Sequence, residues 1–111
     1  SLEPGGSITL DLYAGAGQCD LDKGTLVGTV TVTYTDGTAT ATYDVFDGVD
    51  LKETHFYAGN TMYPQQKRGR NYVDTVAPGQ YPASGGDVLS VEGLEGDIYI
   101  IAHAVVCGEG D

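Results

Sequence analysis

Residues 28–43 read GTVTVTYTDGTATATY, a strict alternation of polar and apolar positions interrupted once, at Asp36-Gly37. Period two is the signature of an extended strand with one wet and one buried face. Asp-Gly between two such runs is the preferred two-residue type I′ turn, because both central positions need positive φ. A two-residue turn fixes the register. Thr35 then faces Thr38, Thr33 faces Thr40 and Thr31 faces Thr42, while Tyr34 meets Ala39, Val32 meets Ala41 and Val30 meets Tyr43. One face becomes a threonine ladder open to water and the other an apolar surface that packs inward.

Residues 7–14 give a first strand, with Ile8, Leu10, Leu12 and Ala14 on one side and Ser7, Thr9, Asp11 and Tyr13 on the other. Gly15-Ala16-Gly17 ends it, and the hairpin can begin as early as Thr25. Asp47-Gly48 ends the third strand. A fourth, over residues 51–58, alternates poorly, with Glu53 and His55 on the side of Leu51 and Tyr57, as in an edge strand or one bent by a bulge. Residues 60–86 contain Pro64, Pro78 and Pro82 and read as a long surface excursion with one short strand around 72–76. Residues 88–92 form a short strand, and residues 97–107 are the most apolar segment. There Ile98, Ile100, Ala102, Ala104 and Val106 share one face and Tyr99, Ile101, His103 and Val105 the other, the pattern of a central strand. No helical stripe and no internal repeat is visible. Six to eight short strands predict one all-β domain over residues 1–111, a two-sheet antiparallel sandwich of jelly-roll or Ig-like type, with a small barrel as the alternative.

Composition sharpens the picture. The 17 glycines lack a collagen period and suit many tight turns. A net charge of −11 repels nucleic acid and anionic lipid, so neither nucleic-acid binding nor membrane insertion is expected. No apolar run reaches the roughly 18 residues that would span a bilayer. Residue 1 is Ser rather than Met, and the expectation is a processed product or an excised domain. The two cysteines, Cys19 and Cys107, belong to no CxxC pair, which leaves zinc and thioredoxin-like chemistry without a ligand set. One disulfide between them is expected, and with it a secreted, extracellular setting. Two buried thiols are the plain alternative.

Candidate chemistry is sparse. There is no G-x-S-x-G elbow, no phosphate-binding loop, and 16 acids make any carboxylate pair uninformative. His55 and His103 read as packed strand residues, so an enzyme is not expected and no cofactor is called for. Calcium has a possible ligand set in Asp20, Asp22, Asp47 and Asp50, all on turns, although turn chemistry alone explains Asp before Gly. Carbohydrate has a possible platform in Tyr57, Asn60, Tyr63, Tyr72 and Tyr81, in or beside the long excursion. The Thr-x-Thr rows resemble ice-binding surfaces, but only two strands carry them and threonine is a good strand former.

Three of the five bases, Lys67, Arg68 and Arg70, cluster in the excursion and could meet an acidic face of another copy. Residues 1–6 have no evident anchor and could be donated to a neighbour as an added strand. Ser1, Leu2, Ile8, Leu10, Lys67, Arg68 and Arg70 are therefore the expected assembly contacts. The segments Thr54-His55-Phe56-Tyr57, Ala77-Pro78-Gly79-Gln80-Tyr81-Pro82 and residues 100–106 together resemble β-sandwich modules of secreted microbial surface proteins, over about the second half of the chain. The resemblance implies an extracellular, non-enzymatic role and nothing residue by residue. The functional expectation is a structural or adhesive cell-surface module, a self-assembling filament subunit whose partners are further copies of itself. A carbohydrate- or calcium-dependent binding module is the alternative.

Overall fold

The computed structural model describes residues 1–13, 24–62, 65–68, 71–74 and 82–108, with backbone alone for 65–68 and 71–74. Its strands are β1 (Ser7–Tyr13), β2 (Leu26–Thr35), β3 (Thr38–Val45), β4 (Val49–Gly59), β5 (Gln65–Arg68), β6 (Asn71–Asp74), β7 (Ala83–Ser84), β8 (Val88–Val91) and β9 (Tyr99–Gly108), with no helix among the described residues. The β2–β3 hairpin has the register its turn dictates, from Thr35 opposite Thr38 down to Val30 opposite Tyr43. Asp36 at φ 52° and Gly37 at φ 76° are both left-handed, as a type I′ turn requires.

The strands form two antiparallel sheets, β1-β2-β3-β8 and β7-β4-β9, and a separate β5-β6 hairpin. The two larger sheets make a sandwich-like core. Val30, Val32, Tyr34, Ala39, Ala41 and Tyr43 form its centre in the first sheet, with Phe56 and Ala58 from β4 and Val106 from β9 in the same cluster. Val32, Ala39, Ala41 and Phe56 are wholly buried. Burying a Val or Phe side chain contributes about 1.5–3 kcal/mol, so alternation alone supplies most of the drive to close the layers. The two core tyrosines hydrogen-bond their hydroxyls inside the fold. Tyr34 donates to the Gly96 carbonyl at 2.8 Å and Tyr43 to the His55 carbonyl at 2.9 Å.

Several sequence expectations change. β9 is not central. It pairs only with β4 among the described residues, and β4 holds the middle of its sheet. The even positions of β9 pack against the core, while its other face is exposed to half-buried from Tyr99 to Val105 and buried only at Cys107. The poor alternation of β4 marks a bulge, because its register shifts between Leu51 and Glu53. The excursion holds the β5-β6 hairpin and β7 rather than one short strand. The N-terminal segment has an anchor in its own chain. Leu2 and Ile98 exchange backbone hydrogen bonds of 2.7 and 2.9 Å, and the Leu2 side chain enters the core cluster. The threonine face also spans four strands rather than two, since β1 and β8 extend it into the row Ser7, Thr33, Thr40, Ser90.

Candidate functional site

Three features of the described surface carry the candidate chemistry. The first is the side of the sandwich where β1 and β9 lie next to each other. β1 pairs only with β2, and β9 only with β4, among the described residues. Between them Ser1, Leu2, Ile8, Leu10, Tyr99 and Ile100 line a groove of about 210 Å³. Four of the seven predicted assembly contacts thus converge on one place. Ile8 is 40% exposed there and Tyr13, at the end of β1, 60%. Lys67 and Arg68 lie on β5, where Lys67 pairs with Tyr72 and Arg68 with Asn71 across the hairpin. Arg70 lies outside the described residues.

The second feature is an acidic cleft of about 420 Å³ beside the bulge in β4. Asp44, Asp50, Glu53 and Asp87 line it, against one base, Lys52. Lys52 and Asp50 pair at 2.8 Å with both side chains about half exposed, a contact of small energetic weight. The wall of the cleft is held by Thr54, which is 1% exposed. Its hydroxyl is shared between the carbonyls of Gly85 and Gly86, and its own carbonyl accepts the Gly85 N–H at 3.1 Å. Both glycines have positive φ, 92° and 59°. Sequence reasoning passed over Thr54, because the turn it holds lies more than 30 residues away.

The third feature is the histidine pair. The β4–β9 register sets His55 directly opposite His103. Their ring centroids are 5.7 Å apart with planes tilted by 48°. The Nδ1 atoms of both are buried and without a hydrogen-bond partner. Burial lowers the proton affinity of His103 below the ordinary histidine value, the neighbouring His55 lowers it further, and Glu53 opposes both.

The remaining candidates come out differently. Tyr57 is buried, and its hydroxyl lies 2.7 Å from both the carbonyl and the hydroxyl of Thr61, so it is not an open platform. Asn60 donates to the carbonyls of Glu95 and Asp97 at 2.8 and 2.9 Å, fastening the loop before β9. The side chains of Tyr63, Tyr72 and Tyr81 lie outside the described residues, as do Asp20, Asp22 and Cys19. Asp47 sits in the turn closed by the Val49 N–H on the Phe46 carbonyl. Among the described residues no group of three or more His, Cys, Asp and Glu converges as a metal ligand set. Cys107 is buried. No protein-family model, no curated protein and no solved structure matches the chain.

Proposed function

We propose that this chain is a secreted, non-enzymatic structural or adhesive module that joins to further copies of itself as a subunit of an extracellular filament. The observation that carries the reading is the β1 edge, which among the described residues pairs with β2 alone. Sheet edges are normally blunted by proline, lysine, a bulge or a covering element, because an unpaired row of N–H and C=O groups templates another strand. β1, SITLDLY, has no proline and no base, its sole charge is Asp11, and its one irregularity falls at its end, between Leu12 and Tyr13, so that Ser7 to Leu12 remain a regular edge. Beside it lies the apolar groove of Leu2, Ile8, Leu10 and Tyr99, which can take alternate side chains of an added strand. Because Leu2 is held in its own core, the added strand is not the N-terminal segment of the next copy unless that bridge first opens.

Charge supports a head-to-tail contact. A chain of net charge −11 repels its copies, yet three of its five bases sit on or beside β5, and an acidic cleft flanks β4. A basic hairpin set against an acidic cleft is heterologous, and such contacts propagate into rings or filaments. The Cys19–Cys107 disulfide is part of the same reading and accords with an oxidising, extracellular setting.

Sedimentation velocity and electron microscopy over a range of concentration and salt test the proposal. Self-association is expected, weakening as salt screens the charges and in Leu10→Lys, which places a base beside the edge. A chain that stays monomeric at millimolar concentration in low salt defeats the reading.

A further inference from the structure

We propose that His55 and His103 form a two-histidine site for a transition-metal ion, Zn²⁺ or Cu²⁺, on the outer face of the β7-β4-β9 sheet. The proposal rests on geometry and on unmet hydrogen bonding. The residues are direct cross-strand partners, and both Nδ1 atoms are removed from solvent with nothing to bond. Leaving such a polar atom buried and unsatisfied forfeits the hydrogen bonds that water would give it. Two in one spot, on adjacent strands, is an arrangement that a single ion can satisfy.

The separation fits. A Zn–N bond is about 2.0–2.1 Å, which together with the ring radius places two imidazoles on one ion with centroids roughly 5–6 Å apart. The observed separation is 5.7 Å. The rings belong to half-buried residues, so rotation of the imidazoles about χ2 gives an ion access to the nitrogens.

The donor type selects the ion. Imidazole suits zinc, copper and nickel, whereas calcium and magnesium take oxygen ligands. Only two protein nitrogens are offered, so water fills the remaining positions and the site is open, unlike a closed four-ligand structural zinc site. Glu53 shares the face of His55 along β4, and its carboxylate adds a negative field at the pair. The net charge of −11 raises the local concentration of any cation. The site is independent of the assembly reading.

Calorimetric titration of the full chain with ZnCl₂, and electron paramagnetic resonance with CuCl₂, test the site in excess Mg²⁺ to occupy exposed carboxylates. One equivalent is expected to bind, with hyperfine coupling to two imidazole nitrogens. Both His55→Gln and His103→Gln should weaken binding by at least about tenfold. Absence of binding up to millimolar metal, or binding in both variants as tight as in the unaltered chain, overturns the proposal, the latter assigning the metal to the acidic surface. Should a variant fail to fold, ¹⁵N spectra of the unaltered chain decide. Zinc must shift ring nitrogens of both histidines, and a shift in only one or neither overturns the site.

Discussion

Thr54 and His103 show how single side chains on the paired strands β4 and β9 set local stability. Thr54 is one of few polar side chains in the interior, and its hydroxyl holds the Gly85-Gly86 turn against β4. Thr54→Val keeps the shape and removes the donor, leaving two carbonyls short of a partner. A loss of about 1–2 kcal/mol is expected, measured as a lower urea midpoint with an unchanged m-value. His103 makes stability depend on pH. Its folded proton affinity is lowered by burial and by His55, with Glu53 opposing, while the unfolded side chain titrates near about 6.5. Between those two values the unfolded chain binds more protons than the folded one, so stability rises with pH. The contribution is complete above about pH 6.5 and is lost as pH falls toward the folded value. In EDTA, urea midpoints between pH 5 and 7 should fall with acidity more steeply for the native chain than for His103→Gln. Equal slopes would contradict this account.

At the scale of elements, legibility followed the distance over which pairing is decided. The β2–β3 hairpin was readable residue by residue because its turn lies inside it. Gly37 also ties the hairpin to the rest of the fold, its carbonyl accepting the Leu94 N–H at 2.9 Å. A Cβ at Gly37 would lie 3.1 Å from the Leu94 carbonyl oxygen at a φ of +76°. Gly37→Val should therefore cost about 1–3 kcal/mol, while Asp36→Asn, which tolerates the same left-handed region, stays within about 0.5 kcal/mol. Thermal unfolding of the two variants separates them, and equal melting temperatures would refute the turn's role. The β4–β9 pairing was not readable. Its partners are some 50 residues apart, and the bulge between Leu51 and Glu53 breaks the alternation from which a register is counted. That is why the meeting of His55 with His103 was invisible in the sequence, although both residues stood out as strand histidines. The same distance hid β8 beside β3 and the Leu2 bridge to Ile98, and so the full breadth of the threonine face.

For the whole molecule the open side and the ends of the chain act together. The sheets are closed on one another by β-pairing at Leu2 and Ile98, while β1 and β9 keep edges unpaired among the described residues. A domain that exposes such edges must hold its layers firmly, or the edges would seed indiscriminate aggregation instead of ordered contacts. Core burial supplies part of that hold, and the proposed Cys19–Cys107 disulfide would supply more. Cys107 is buried on β9 opposite Asp50, on the strand that borders the open side. A bond from there to Cys19 would close most of the chain into one loop and, in the loop-entropy account, contribute about 4–5 kcal/mol by restricting the unfolded state. Alkylation of the unfolded, unreduced chain should then label neither cysteine, and reduction should lower the guanidinium midpoint. If the bond protects against uncontrolled edge pairing, the reduced chain should also form amorphous aggregate where the oxidised chain forms discrete assemblies. Labelling of both thiols without reductant would remove the tie, and core burial alone would then have to keep the open edge ordered.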